Sequence, residues 1–80
     1  MSELANYKER IVSNPDIMLG KPTIKGTRIT VELIIEKLAY GIKHEDIIKS
    51  YPHITVEDIL ACLAYAHDVI ANEEMIETKK

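Results

Sequence analysis

Gly20-Lys21-Pro22-Thr23-Ile24-Lys25-Gly26-Thr27-Arg28-Ile29-Thr30 is the most irregular stretch of the chain, and its reading decides the rest. It holds two of the three glycines, one of the three prolines and three basic residues, with no acid. Pro22 fixes its own φ and drives Lys21 towards extended backbone. Gly26 supplies the positive φ that a turn between Ile24 and Arg28 needs. The β-branched residues Thr23, Ile24, Thr27 and Ile29 favour extended backbone on either side. Thr30 then opens a helix. The stretch reads as an extended, cationic, glycine-hinged lead-in to a helical domain.

Working back towards the N-terminus, Arg10-Ile11-Val12-Ser13 has the pattern of a short strand, closed by the turn signal Asn14-Pro15-Asp16. Residues 1–9 form a polar leader, a frayed segment or a short helical turn. Ile17-Met18-Leu19 is an apolar patch closed by Gly20, expected to pack under the helices. Residues 20–29 pair back onto residues 10–13 as a two-stranded ribbon, or else pair with a second copy of the chain, since a lone hairpin is marginal in water.

Working forward, Thr30 is an N-cap, with Ile29 and Ile34 at the two positions of a hydrophobic staple. Val31, Ile34, Ile35 and Leu38 follow at helical spacing, and Gly41 stands where a C-terminal cap belongs. A first helix over residues 31–40 follows. A second covers roughly 44–51, with Glu45 and Asp46 in its first turn, Lys49 in its last, Ile47, Ile48 and Tyr51 facing inward, and Pro52 ending it. The third opens on the cap Thr55 and the staple pair Ile54 and Ile59. Its apolar stripe reads Val56, Ile59, Leu60, Leu63, Ala66 and Ile70, with Cys62 and Val69 on the edge. It runs at least to Asn72. The domain therefore spans residues 10–72, followed by an acidic and then basic tail over 73–80. Two short helices, a tight turn and a longer helix make a helix-turn-helix order.

Eighty residues make one small domain, and small cores are often reinforced by dimerisation. Hydrophobic residues make up 46% and charged residues 29%, a folded rather than a disordered composition. The single Cys62 cannot form an internal disulfide and suits a reducing compartment. No apolar run approaches membrane-spanning length, so a cytoplasmic protein is expected. The net charge is −3, but it is unevenly spread. Residues 1–49 carry eight Lys and Arg against seven Asp and Glu, whereas residues 50–80 carry two lysines against six acids. No Lys or Arg lies between Ser50 and Thr78, so a phosphate-facing surface must come from the first half.

Catalytic and metal motifs fail on inspection. His44-Glu45-Asp46-Ile47-Ile48 begins like the zinc motif H-E-x-x-H, but Ile48 takes the place of the second histidine. Gly20-Lys21-Pro22-Thr23 lacks the upstream glycine of a phosphate loop, and Pro22 splits its Lys-Thr pair. His53 and His67 read as turn and surface residues. Cys62 has no histidine three or four residues away and reads as a small core residue. No catalytic, cofactor or metal residues are therefore assigned. A reading helix needs Arg, Lys, Asn or Gln near its N-terminus to reach base edges, yet the third helix presents Glu57 and Asp58 there. The better contact candidates are Lys21, Lys25 and Arg28, whose competing reading is a solvated loop.

Asn14-Pro15-x-Ile17, then Gly20-Lys21-Pro22-x-Ile24-x-Gly26-Thr27-Arg28-Ile29, then Gly41, Tyr51-Pro52, and Ala61 through Ala64-Tyr65-Ala66 resemble a small bacterial family. It is catalogued as domain of unknown function number four hundred and thirty-three. The resemblance covers roughly residues 10–70, and its G-K-P-x-I-x-G-T-R core is specific. At Lys43-His44 the chain departs from the Ser-Pro helix start common in the family. The resemblance implies an all-α, homeodomain-like three-helix helix-turn-helix bundle with a short N-terminal β element. Many members look like antitoxins that stand beside a toxin with a PIN-like nuclease fold. The implied function is a non-enzymatic antitoxin-like protein that binds such a toxin and, as a homodimer, operator DNA. The alternative is a protein-only interaction and dimerisation module without DNA contact. Lys21, Lys25, Thr27 and Arg28 are then the partner or nucleic-acid contacts, and Gly20, Pro22 and Gly26 the structural signature. No membrane and no small-molecule substrate are implied.

Overall fold

The computed structural model describes residues 7–77, with side chains as far as Asn72. The leader before Tyr7 and the tail after Glu77 lie outside the described residues. Two strands, β1 (Ile11–Val12) and β2 (Thr23–Ile24), precede three helices, α1 (Val31–Ala39), α2 (His44–Ser50) and α3 (Val56–Glu77). The strands pair antiparallel within the chain, Ile11 opposite Ile24 and Val12 opposite Thr23. Of the two pairings open to residues 20–29, the internal one is realised.

The other edge of β2 is occupied too. Val31 N–H donates to Pro22 C=O at 2.9 Å and Ile24 N–H donates to Ile29 C=O at 2.9 Å, so the chain folds back on itself before entering α1. Thr27 N–H donates to Ile24 C=O at 3.0 Å and closes the turn between them. Gly26 has φ +81° at its third position, as expected for a residue that must be left-handed there. A dimer is therefore not required to satisfy this backbone, which removes one of the two reasons the sequence offered for one and leaves the small core as the other.

The helix ends follow their capping residues. Thr30 Oγ1 accepts from Leu33 N–H at 3.0 Å. At the far end Gly41, with φ +87°, donates to Leu38 C=O, and Ile42 N–H donates to Lys37 C=O, a Schellman closure. Lys43 caps α2 without a side-chain acceptor, the consequence of lacking a serine there. α3 begins with a reciprocal box: Asp58 N–H donates to Thr55 Oγ1 at 3.2 Å, and Thr55 N–H donates to Asp58 Oδ2 at 3.0 Å.

α3 packs against α1, α2 and β1. Ile11, Ile24, Ile34, Ile47, Ile54 and Ile59 are buried at the centre, with Ala61 and Cys62 beneath them. Ile48 and Tyr51 pack against this core as expected. Two expectations fail. Ile17-Met18-Leu19 does not pack under the helices: Leu19 is 92% exposed and Met18 40%. Met18, Leu19 and Gly20 all have positive φ, which turns the tip outward. The stripe assigned to the core side of α3 also splits. Ile59 is buried, but Val56, Leu60, Leu63 and Ile70 face outward, and Ala61, Cys62 and Ala64 take their place inside. The small side chains let α3 approach the other helices closely, which larger ones would prevent.

Candidate interaction site

The residues proposed as a structural signature hold the turn in place. Gly20, at φ +83°, ends the Met18–Gly20 tip, and Lys21 N–H donates back to Met18 C=O at 3.1 Å. Pro22 contributes its carbonyl to Val31. A Cβ on Gly26 would meet nothing within 4 Å, so its requirement is conformational and not steric.

The four expected contact residues have different fates. The Thr27 hydroxyl is committed inside the turn, donating to Ile24 C=O at 2.8 Å and accepting from Ile29 N–H at 2.9 Å. Lys21 Nζ pairs with Glu32 Oε1 at 3.1 Å on the surface. Lys25 and Arg28 are exposed and form no ion pair among the described residues. Lys21 and Arg28 line different cavities. Lys21 and Pro22 line a space of about 450 Å³ against Val31, Ile35 and Tyr65. Arg28 and Gly26 line another of about 410 Å³, facing Tyr51, Pro52 and His53 across the turn between α2 and α3. Lys21 and Arg28 thus stand beside different cavities, and Lys25 lines neither.

The acidic start of α3 also divides. Glu57 is exposed, but Asp58 is 8% exposed and is a structural residue. Besides capping Thr55, its Oδ1 accepts from Arg10 Nη1 at 2.9 Å. That pair joins residues 48 apart in sequence, and periodicity gives no sign of it. The expectation that the start of α3 presents both Glu57 and Asp58 outward is corrected for Asp58 accordingly.

Further along α3, Tyr7 donates its hydroxyl to Asp68 Oδ2 at 2.8 Å and meets the Tyr65 ring edge-on, with centroids 5.4 Å apart. Tyr7, assigned to the leader from the sequence, is thereby tied to α3. Hydrogen bonds from His67 and from Tyr7 hold the Asp68 carboxyl below the usual carboxylate range, and the bond to Asp68 raises the Tyr7 hydroxyl. Burial, with a smaller effect of the Asp58 charge, pushes the Cys62 thiol up to about 12, which makes it a poor nucleophile. Among the described residues no three His, Cys, Asp or Glu side chains are grouped to hold a metal ion, and no helix is long and apolar enough to cross a membrane.

The remaining feature is the outer face of α3. Val56, Leu60 and Leu63 are 40–42% exposed and Ile70 is 65% exposed. His67 lies among them and Glu57 stands beside Val56. An exposed line of large aliphatic side chains is a feature of interaction surfaces.

Comparison with known proteins agrees with the sequence resemblance. The chain is 32% identical over 66 residues to the uncharacterized protein y4eO of Sinorhizobium fredii (strain NBRC 101917 / NGR234). The match covers 82% of this chain but 30% of that protein, so the chain spans under a third of the relative's length. No solved structure matches it significantly. Residues 11–66, from β1 through most of the core-facing part of α3, match the model of a family described as protein of unknown function (DUF433), and the chain belongs to that family.

Proposed function

We propose that this chain is an antitoxin-like binding protein of the cytoplasm, without catalytic activity, that holds a partner toxin of PIN-like nuclease fold. In this reading the domain is a homeodomain-like helix-turn-helix in which α3 occupies the position of the reading helix. The observation that carries the reading is the outer face of α3: aliphatic, exposed and beside Glu57, it suits a protein surface better than a DNA groove. Asp58, turned inward, leaves Glu57 as the exposed acid of the first turn.

Operator DNA, if bound as well, meets Lys25 and Arg28, since Lys21 is paired with Glu32. A homodimer would use the exposed Leu19 tip. The test is co-expression with the short nuclease-like reading frame beside the gene, followed by purification on a tag carried by this chain. A stable complex supports the reading, and separate elution removes it. For DNA, Lys25→Ala with Arg28→Ala should flatten the salt dependence of duplex binding by nearly two, at about 0.9 per cation. Absence of duplex binding by the unsubstituted chain favours the protein-only alternative.

A further inference from the structure

We infer that the outer face of α3 seats an amphipathic helix of the partner, with apolar residues at alternating four- and three-residue spacing and with Lys or Arg along its flanks. The inference rests on the partner-binding reading above and supplies the chemistry of the bound element. Val56, Leu60, Leu63, His67 and Ile70 follow one another by four, three, four and three residues. That is the spacing of the seam between two packed helices. No glycine or proline interrupts α3, so the seam is continuous. From Val56 to Ile70 it runs about 21 Å, or two heptads. The seam lies opposite the side on which Asp58, Ala61 and Tyr65 meet the core.

Charge selects the occupant. α3 carries no Lys or Arg, and of the acids whose side chains the structure describes Asp68 is bonded to Tyr7 and His67. Arg10 balances Asp58, while Glu57 stands exposed beside the seam. A second copy laid along the same face would bring another helix without Lys or Arg and so no cation for Glu57, and DNA phosphates would be repelled by it. A helix flanked by Lys or Arg gains from both the apolar seam and the exposed Glu57 beside it. His67 places a polar group at one seam position, which favours a single register over a sliding fit.

The test uses the full chain and three synthetic helical peptides of about 20 residues. The first has leucines at the four-and-three spacing and Lys flanks. The second has the same leucines and Glu flanks. The third has the composition of the first in scrambled order. Fluorescence anisotropy should show the first binding at least about tenfold more tightly than the others, a difference of about 1.4 kcal/mol. Leu60→Ser with Leu63→Ser should abolish that preference while leaving the circular dichroism unchanged, because both leucines are exposed. Equal binding of all three peptides, or binding of none, would overturn the inference. So would sedimentation showing a dimer that the double variant dissolves, since that places a second copy on the seam. A nuclease-fold partner that binds the double variant undiminished also overturns the seam, but leaves the toxin-binding reading intact. A preference for the Lys-flanked peptide without any complex with the nuclease-fold neighbour supports the seam and removes the toxin reading.

Discussion

The hairpin over residues 22–31 and the helix α3 are stabilised in different ways. In the hairpin, backbone groups are tied across short distances: Pro22 to Val31, Ile24 to Ile29, Thr27 to Ile24, and Lys25 to Arg10. Thr23 and Ile24 from the paired strand and Thr30 and Val31 at the other end are buried, while the tip residues Lys25, Gly26 and Arg28 are exposed. Its shape depends on backbone dihedrals and on one hydroxyl, that of Thr27. In α3 the backbone bonds are helical and need no special residue. What distinguishes one residue from the next is the face it occupies. Ile59 is fully buried while Leu60 is 42% exposed, and Asp58 is buried while Glu57 is exposed. An irregular segment is thus governed by local conformation, and a regular one by what packs against it.

Neighbouring substitutions in α3 give the sharpest test of that contrast. Ile59→Ala should cost about 2–5 kcal/mol in denaturant unfolding, because it opens a cavity under α1 and α2. Leu60→Ala, one residue on, should cost less than about 1 kcal/mol, because its side chain faces outward. Equal losses at the two positions would place both side chains in the core and cancel the outer face.

Asp58→Ala comes next, at about 2–3 kcal/mol, since it removes a helix cap together with the partner of Arg10. Glu57→Gln should leave the unfolding midpoint within about 0.5 kcal/mol of the parent. Were the larger loss at Glu57, the assignment of inner and outer acids would be reversed.

In the hairpin, Gly26→Val should destabilise by roughly 1–3 kcal/mol, through strain at positive φ alone, as no atom would clash with the added Cβ. Gly26→Asn, which tolerates that conformation better, should recover part of the loss. A melting temperature insensitive to valine would mean that the turn is not left-handed at Gly26.

The smallest effects are titrations on α3. Asp68 should titrate below the usual carboxylate range by carbon-detected NMR, and Tyr7→Phe should move it upward by removing one of its two hydrogen-bond donors. Its stabilising contribution is therefore present above the unfolded carboxylate pKa and is lost as pH falls through the lower folded value. Cys62 behaves oppositely. Its folded pKa of about 12 lies above the unfolded value, so its contribution is whole below pH 9.0 and declines as pH rises towards 12. The stability difference between the parent and Cys62→Ala should shrink over that window. A constant difference would show the thiol to be accessible to water.

Much of this architecture can be read from single residues because local physics acts through them. Thr30 and Thr55 mark the helix starts, Gly41 marks a helix end, and Gly26 marks the turn, each through a dihedral or a capping bond available within a few residues. The charge asymmetry and the family signature are likewise properties of order along the chain. The sides of α3 are not. Its apolar residues occupy more than one stripe, and helical periodicity cannot say which stripe meets α1 and α2. That choice belongs to packing: Ala61, Cys62 and Ala64 fit where the helices come close, and the larger Val56, Leu60, Leu63 and Ile70 are left outside. The same packing brings Arg10 to Asp58 and Tyr7 to Asp68, and sets Lys21 and Arg28 beside different cavities. By itself the sequence determined the elements, their caps and the hairpin turn. Tertiary structure decided which charges are spent inside the fold and which apolar side chains remain for a partner, because both depend on residues far apart in the chain.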